Sequence, residues 1–336
     1  MIRWQRHLIV HLGPRVPSPA ARWTQYALTV AGVSPPSSGT TPSQLYNNGG
    51  IRIVDNTTLY ITDKGNHRVV VIQPGSTTAV AIIGSGPGTD PDQFNQTTDL
   101  VVTGTSMYVL DAGNYRVQMW PRNGSNGTTV AGIAGFAGTS LSTFGYSYGI
   151  QVDNYGNLYV SDSPNHRVLR FPSGSVSGTN SVLVAGIGTA GAGPSQLNGP
   201  FRIFVDVNQS LYVADTYNHR IQFWSYGACS GVTVAGTGVL GTTNTQLYYP
   251  VSVMVDANQI MYISDQLNNR IHRWAVGDCS GQCLVGCTQT YGPAAHQFYY
   301  LQNMAFDSEG AMLVSDGGNH RVQKFALISD RGESSR

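Results

Sequence analysis

Four histidines, His67, His166, His219 and His320, recur in one phrase, D-x-x-N-H-R, each between an asparagine and an arginine. Histidine beside aspartate is the residue set of a metal site or an acid–base pair. The six aspartates of the phrase, Asp63, Asp111, Asp162, Asp215, Asp265 and Asp316, lie 48, 51, 53, 50 and 51 residues apart. Copies that far apart sit on separate, stacked structural units. Facing sheets pack about 10 Å apart, whereas metal ligands lie about 2 Å from their ion. A ring of equivalent histidines cannot close on one ion at that radius. Packing and hydrogen bonding between neighbouring units is the expected role, with Tyr115 and Asn269 replacing His in two copies.

The acids and arginines of the same phrase form pairs: Asp63 with Arg68, Asp111 with Arg116, Asp162 with Arg167, Asp215 with Arg220, Asp265 with Arg270 and Asp316 with Arg321. Five residues apart across a tight turn, each pair suits a charge-assisted structural clamp, with the Asn expected to take up the unusual backbone dihedrals. The four cysteines, Cys229, Cys279, Cys283 and Cys287, are even in number and allow two disulfides in three pairings. Cys279 and Cys283 flank a short turn and could bridge across it. Spacings of three residues between the last three differ from the two-residue spacings of zinc sites, so no metal and no cofactor is expected.

The elements that position these residues are short strands. Each copy holds an apolar stretch ending in a polar residue (strand a, as in PFRIFVD), then LYVAD or a relative (strand b). The run after Arg, such as RIQFW, is strand c, and VTVAG and its relatives form strand d. β-Branched and aromatic residues bounded by Gly, Asn, Pro and Ser read as strands, and no helical period occurs. A period near fifty built from four strands is that of a β-propeller. The sixth strand d is missing at the C-terminus, but YALTVAG, Tyr26 to Gly32, precedes the first strand a. The expected fold is therefore all-β: a six-bladed β-propeller of four-stranded antiparallel blades, closed by the N-terminal strand completing the C-terminal blade. Residues 1–22 form an extension expected to be poorly ordered, 23–328 the propeller, and 329–336 a disordered tail.

The DxxNHR hairpin, the LYVAD strand before it and the TVAG strand after it resemble the NHL-repeat family over all six blades. The resemblance implies a six-bladed propeller used mostly as a recognition surface. It also implies an alternative, the substrate-recognition module of a tripartite-motif-type ubiquitin ligase. A related group of propellers contains enzymes, and the peptidyl-amidoglycolate lyase has similar blades, which would imply a zinc site built from histidines on inner strands. The a strands here carry no histidine, and no nucleophile elbow, phosphate-binding loop or non-repeat carboxylate pair is found.

Nineteen basic residues against 18 acidic give a net charge of +1, so no surface for double-stranded nucleic acid is expected. No stretch approaches the roughly 20 apolar residues of a membrane span. Only two lysines occur, Lys64 and Lys324, amid abundant Gly, Ser, Thr and Asn. This composition favours an extracellular setting, although the N-terminus carries no recognisable signal peptide. In an antiparallel blade the b–c and d–a connections emerge on one face. The d–a connections are the long, variable ones, each with an apolar anchor: Leu45, Phe94, Phe144, Leu197, Leu247 or Phe298. Tyrosines follow several anchors: Tyr46, Tyr146, Tyr148, Tyr248, Tyr249, Tyr299 and Tyr300. Leading into the a strands, they are expected to rim the channel mouth and bind a protein or glycan, the chain acting as a monomer.

Overall fold

The computed structural model describes residues 17–18, 20–55, 57–122 and 124–329. Most of the expected 1–22 extension, and the tail from residue 330, lie outside the described residues. Six four-stranded antiparallel sheets form the six blades. Strand b of blade 4, Leu211–Asp215, is buried at all five positions, because each blade is covered on both faces by its neighbours. That two-sided burial is why these strands read as apolar runs rather than alternating ones. The a strands touch one another around the ring and line its axis. The d strands form the rim, with Val182, Leu183 and Val232 exposed. The six anchors of the d–a loops are all buried.

Every b strand ends in a three-residue 3₁₀ turn, Thr216–Asn218 in blade 4, before strand c begins. The left-handed backbone falls on the residue after the asparagine rather than on the asparagine, from φ +50° at Asn269 to +56° at Tyr115 and His320. The asparagine stays in the turn because its side-chain amide is engaged elsewhere, as described below. The glycine that ends each d strand sits against the b–c hairpin of its own blade. Gly236 has φ +80°, and a Cβ there would lie 2.5 Å from the His219 carbonyl oxygen. Only glycine fits this approach, which accounts for the recurring VAG.

The N-terminal strand Leu28–Ala31 completes blade 6 against Arg321–Phe325, pairing Leu28 with Lys324, Thr29 with Gln323 and Ala31 with Val322. A small sheet outside the blades pairs Arg22–Trp23 with Leu327–Ser329. Trp23 is buried there and donates from Nε1 to the Gly310 carbonyl at 2.8 Å. The repeat carried no signal of this sheet. The disulfide is also not the one expected: it joins Cys283 to Cys287, with Cα atoms 5.7 Å apart, and leaves Cys229 and Cys279 as exposed thiols. Cys283 sits within the outer strand Gln282–Val285. The chain reverses at Gly286 (φ +74°) and returns Cys287 to it.

Removing residues 1–32 takes away the strand that seals blade 6. Several kcal/mol of pairing and burial are lost, so the melting temperature is expected to fall by about 10 °C or more, at roughly 2–4 °C per kcal/mol. Ile328→Pro in the peripheral sheet is expected to shift it far less. Calorimetry of both variants is the check, and equal melting of the truncated and full chains would count against the seal.

Candidate functional site

The d–a loops are held down by the hairpins. In blade 4, Asp215 Oδ1 accepts the Asn198 backbone N–H at 2.7 Å, and Oδ2 accepts from Asn218 Nδ2 at 2.8 Å and Arg220 Nε at 2.7 Å. Asn218 also donates to the Gly191 carbonyl, and the Arg220 guanidinium to those of Ala192, Gly193 and Gln196. The Nε–Oδ2 pair recurs at Arg68–Asp63, Arg116–Asp111, Arg167–Asp162, Arg270–Asp265 and Arg321–Asp316, at 2.7–2.8 Å. Burial pushes the carboxylates up from their ordinary value, Asp316 to about 6, against the pull of their donors.

The hairpin histidines bond across the seams between blades. Nδ1 of His67 accepts the Gln96 backbone N–H at 3.1 Å, that of His166 accepts Gly199 at 3.0 Å, that of His219 accepts Tyr249 at 3.3 Å and that of His320 accepts Asn47 at 3.1 Å. An accepting nitrogen must be unprotonated, and desolvation lowers the pKa of His219 and His320 accordingly. The seams after blades 2 and 5 lack this bond. Tyr115 stands at the first; at the second, Asn269 donates to the Gln289 carbonyl instead. His272, on a c strand, is fully buried and held by desolvation at a pKa of about 3. His7 and His11 lie outside the described residues. Among the described residues no three His, Cys, Asp or Glu side chains converge as a metal donor set.

Strand register identifies one inward position per blade: Gly50, Asp99, Gly149, Arg202, Ser252 and Asn303, each preceding the residue paired two places before the clamp aspartate. Arg202 fills the axis at this level. Its guanidinium donates to the carbonyls of Thr98 at 2.8 Å and Gln302 at 3.3 Å, and Nε lies 3.6 Å from Asp99 Oδ1. Arg52 approaches the same oxygen at 3.7 Å, and Asp99 Oδ2 accepts the Ile150 N–H. The glycines at two of the six positions make room: a Cβ on Gly149 would lie 2.7 Å from the Cα of Arg202.

The mouth above this plug carries the aromatics, which fall into three groups. Tyr146, Tyr148, Phe201, Tyr217 and Tyr249 form an arc over blades 3, 4 and 5. Their rings are 5.4 Å apart for Tyr146–Tyr148, 4.0 Å for Tyr148–Phe201, 5.8 Å for Phe201–Tyr249 and 5.1 Å for Tyr217–Tyr249. Tyr299 and Tyr300, 4.7 Å apart and exposed, lie with Tyr291 on blade 6. Tyr46 and Tyr248 instead lie edge-on to His320 and His219. The Tyr248–Tyr249 neighbours therefore part company: the positive φ of Tyr249, +63°, turns its ring to the arc. Facing the arc from blade 1 is Lys64, its Nζ 5.6 Å and 5.7 Å from the ring centres of Tyr146 and Tyr148. Burial, and secondarily the Arg202 charge, lowers its pKa. A second opening, on the outer edge between blades 3 and 4, is walled by apolar residues such as Leu183, Ile187 and Trp224.

Sequence reasoning missed Phe201, Tyr217, Lys64 and Arg202. A signal existed for two of them. The pair of variable hairpin positions reads KG, AG, SP, TY, QL and GG. Lys64 and Tyr217 stand out there as the cation and the aromatic within an otherwise repeated frame.

No family model matches the chain, and no curated protein matches it. Solved structures do share its fold. A protein of unknown function from Bacteroides thetaiotaomicron VPI-5482 is 17% identical, with a TM-score of 0.68, over 91% of this chain and 76% of the other. An auxiliary nutrient binding protein from the same organism is 13% identical, TM-score 0.66, over 92% and 77%. A gluconolactonase of Xanthomonas campestris is 14% identical, TM-score 0.61, over 95% and 99%. At these identities the likeness is one of fold: the chain is a six-bladed propeller, an architecture used by both binding proteins and enzymes.

Two measurements test the hairpins. Arg220→Ala leaves the Asp215 charge buried without its partner and is expected to cost about 3–5 kcal/mol in denaturant unfolding. The histidine bonds stabilise only while unprotonated. Because folding lowers the pKa of His219 and His320, their contribution is present above the unfolded value of about 6.5 and is lost as pH falls through the folded one. The melting temperature of the wild type should therefore fall toward that of His219→Asn/His320→Asn between pH 7 and pH 5. A constant gap would exclude that role.

Proposed function

We propose that this chain is a non-enzymatic recognition propeller of the NHL type that binds a protein or glycan on its d–a/b–c loop face. The observation that carries this reading is the aromatic arc at the mouth, in which five rings from three successive blades are linked by ring contacts. Clustered tyrosines with part-exposed faces are the composition of binding hot spots, whereas scattered ones mean little. The loops bearing them are fixed by the buried clamps, so the face is formed before a ligand arrives and little ordering entropy opposes binding. The nutrient binding protein among the structural neighbours supports a binding role. The Cys283–Cys287 disulfide and the scarcity of lysine support an extracellular setting. Among the described residues no helix is long and apolar enough to cross a membrane. A monomer, with the ring closed on itself, completes the reading.

The test is a screen of the purified chain against arrayed glycans and arrayed secreted proteins, repeated with Tyr249→Ala/Tyr300→Ala. Binding should weaken by more than about tenfold, the scale of hot-spot truncation, with the melting temperature held. Ligands bound equally well by the double variant would move the site away from this face.

A further inference from the structure

Among the described residues Lys64 has no carboxylate partner. The other lysine, Lys324, is paired with Asp307 at 2.7 Å, and each clamp arginine has its own aspartate. Near the axis stand three cations, Lys64, Arg202 and Arg52, and one carboxylate, Asp99, which only the two arginines approach. The mouth therefore carries an excess of two positive charges in a chain whose total is +1. The guanidinium of Arg202 is committed to the Thr98 and Gln302 carbonyls. The half-buried ammonium of Lys64 is left with aromatic faces on one side and open solvent above. Cation–π contact stabilises such a charge without neutralising it, so an anion arriving from outside gains what no residue of the chain supplies.

The rest of the mouth narrows the chemistry. A polyanion needs several uncompensated cations, and this face offers one lysine. Around it stand the amides of Asn47 and Gln302, while beneath them Asn48 is fully buried, its Nδ2 donating to Ser315 Oγ and the Arg321 carbonyl. Beside Lys64, the Tyr146–Tyr148–Phe201 arc offers flat apolar area. One ammonium, two amides and a stacking platform suit a hydroxyl-rich ring bearing a single carboxylate. We infer that the mouth binds an acidic sugar residue of a glycan, a uronic or sialic acid, with its carboxylate on Lys64 and its apolar face on the arc. This deepens, and rests on, the reading of the loop face as a recognition surface. A polyglutamate peptide would satisfy the ammonium and could pair with the amides but would bring no ring face to the flat platform.

The experiment compares the full-length chain with Lys64→Ala and Lys64→Arg on a glycan array. Uronic- and sialic-acid-terminated glycans are printed beside their neutral counterparts, and a polyglutamate peptide serves as the competing anion. The acidic forms are expected to bind, with Lys64→Ala weakening them by about tenfold or more, the loss of one charge-assisted hydrogen bond. Lys64→Arg should retain the preference, and all three should melt alike. Because the chain has only two lysines, reductive methylation with ¹³C yields a lysine signal for Lys64 that should shift on adding glucuronate or N-acetylneuraminate and not glucose, with Lys324 as the internal reference. Acidic and neutral forms bound alike, acidic binding indifferent to Lys64, no acidic glycan bound, or polyglutamate bound in their place would each overturn the inference. If a neutral glycan or a protein is then bound in a manner sensitive to Tyr249→Ala/Tyr300→Ala, the recognition face stands and only the acidic sugar falls.

Discussion

The buried aspartate at the end of each b strand is the constraint on which the loop face depends. One carboxylate takes the first backbone N–H after the loop's anchor, the asparagine of the turn and the arginine of strand c, and that arginine carries three loop carbonyls, as Asp265 and Arg270 do in blade 5. The d–a loops are long and rich in Gly, Ser and Thr, a composition that alone gives them little reason to hold one shape. Here their backbone groups are satisfied by side chains of the hairpin. The charge is buried and its desolvation is unfavourable, so the clamp fixes geometry more than it adds net stability.

That division explains what was legible in the sequence. Strand order, blade number and closure are imposed six times over, so spacing alone exposed them, and the missing sixth d strand pointed to Leu28–Ala31. The same periodicity hid the residues that break it. Arg202 occupies a position held by Gly, Asp, Ser or Asn in the other blades, and nothing local in PFRIFVD distinguishes an arginine crossing the axis from one reaching solvent. Lys64 and Phe201 meet the tyrosines only when blades 1, 3 and 4 are placed around one centre. The disulfide failed for a related reason: the pairing depends on the reversal at Gly286, not on which cysteines flank a turn.

The mouth is chemically uneven although the scaffold is nearly symmetric. Two of the six inward positions are glycine: Gly149 admits the Arg202 backbone and Gly50 the Asp99 carboxylate, while the Arg202 guanidinium bridges the Thr98 and Gln302 carbonyls. The Arg202 guanidinium crosses the axis at that depth, so the mouth above it has a floor carrying positive charge. The groups around that floor are the faces and edges of tyrosine and amide side chains.

The histidine bonds, viewed as stitching, divide the molecule in two. Four seams are sewn by histidine on the loop face; the other two, after blades 2 and 5, stand opposite each other across the axis and are crossed by other side chains, among them Gln266, whose Nε2 donates to the Leu301 carbonyl at 2.9 Å. The ring is thus a pair of three-blade jaws. One jaw, blades 3 to 5, carries the entire aromatic arc; the other, blades 6, 1 and 2, carries Lys64, Asn47 and Gln302. Across the gap run the Tyr146 hydroxyl, donating to Gln96 at 2.7 Å, and the ammonium lying over two tyrosine rings. A ligand lying between Lys64 and the arc would touch both jaws at once and add a further stitch to the two seams that histidine leaves alone.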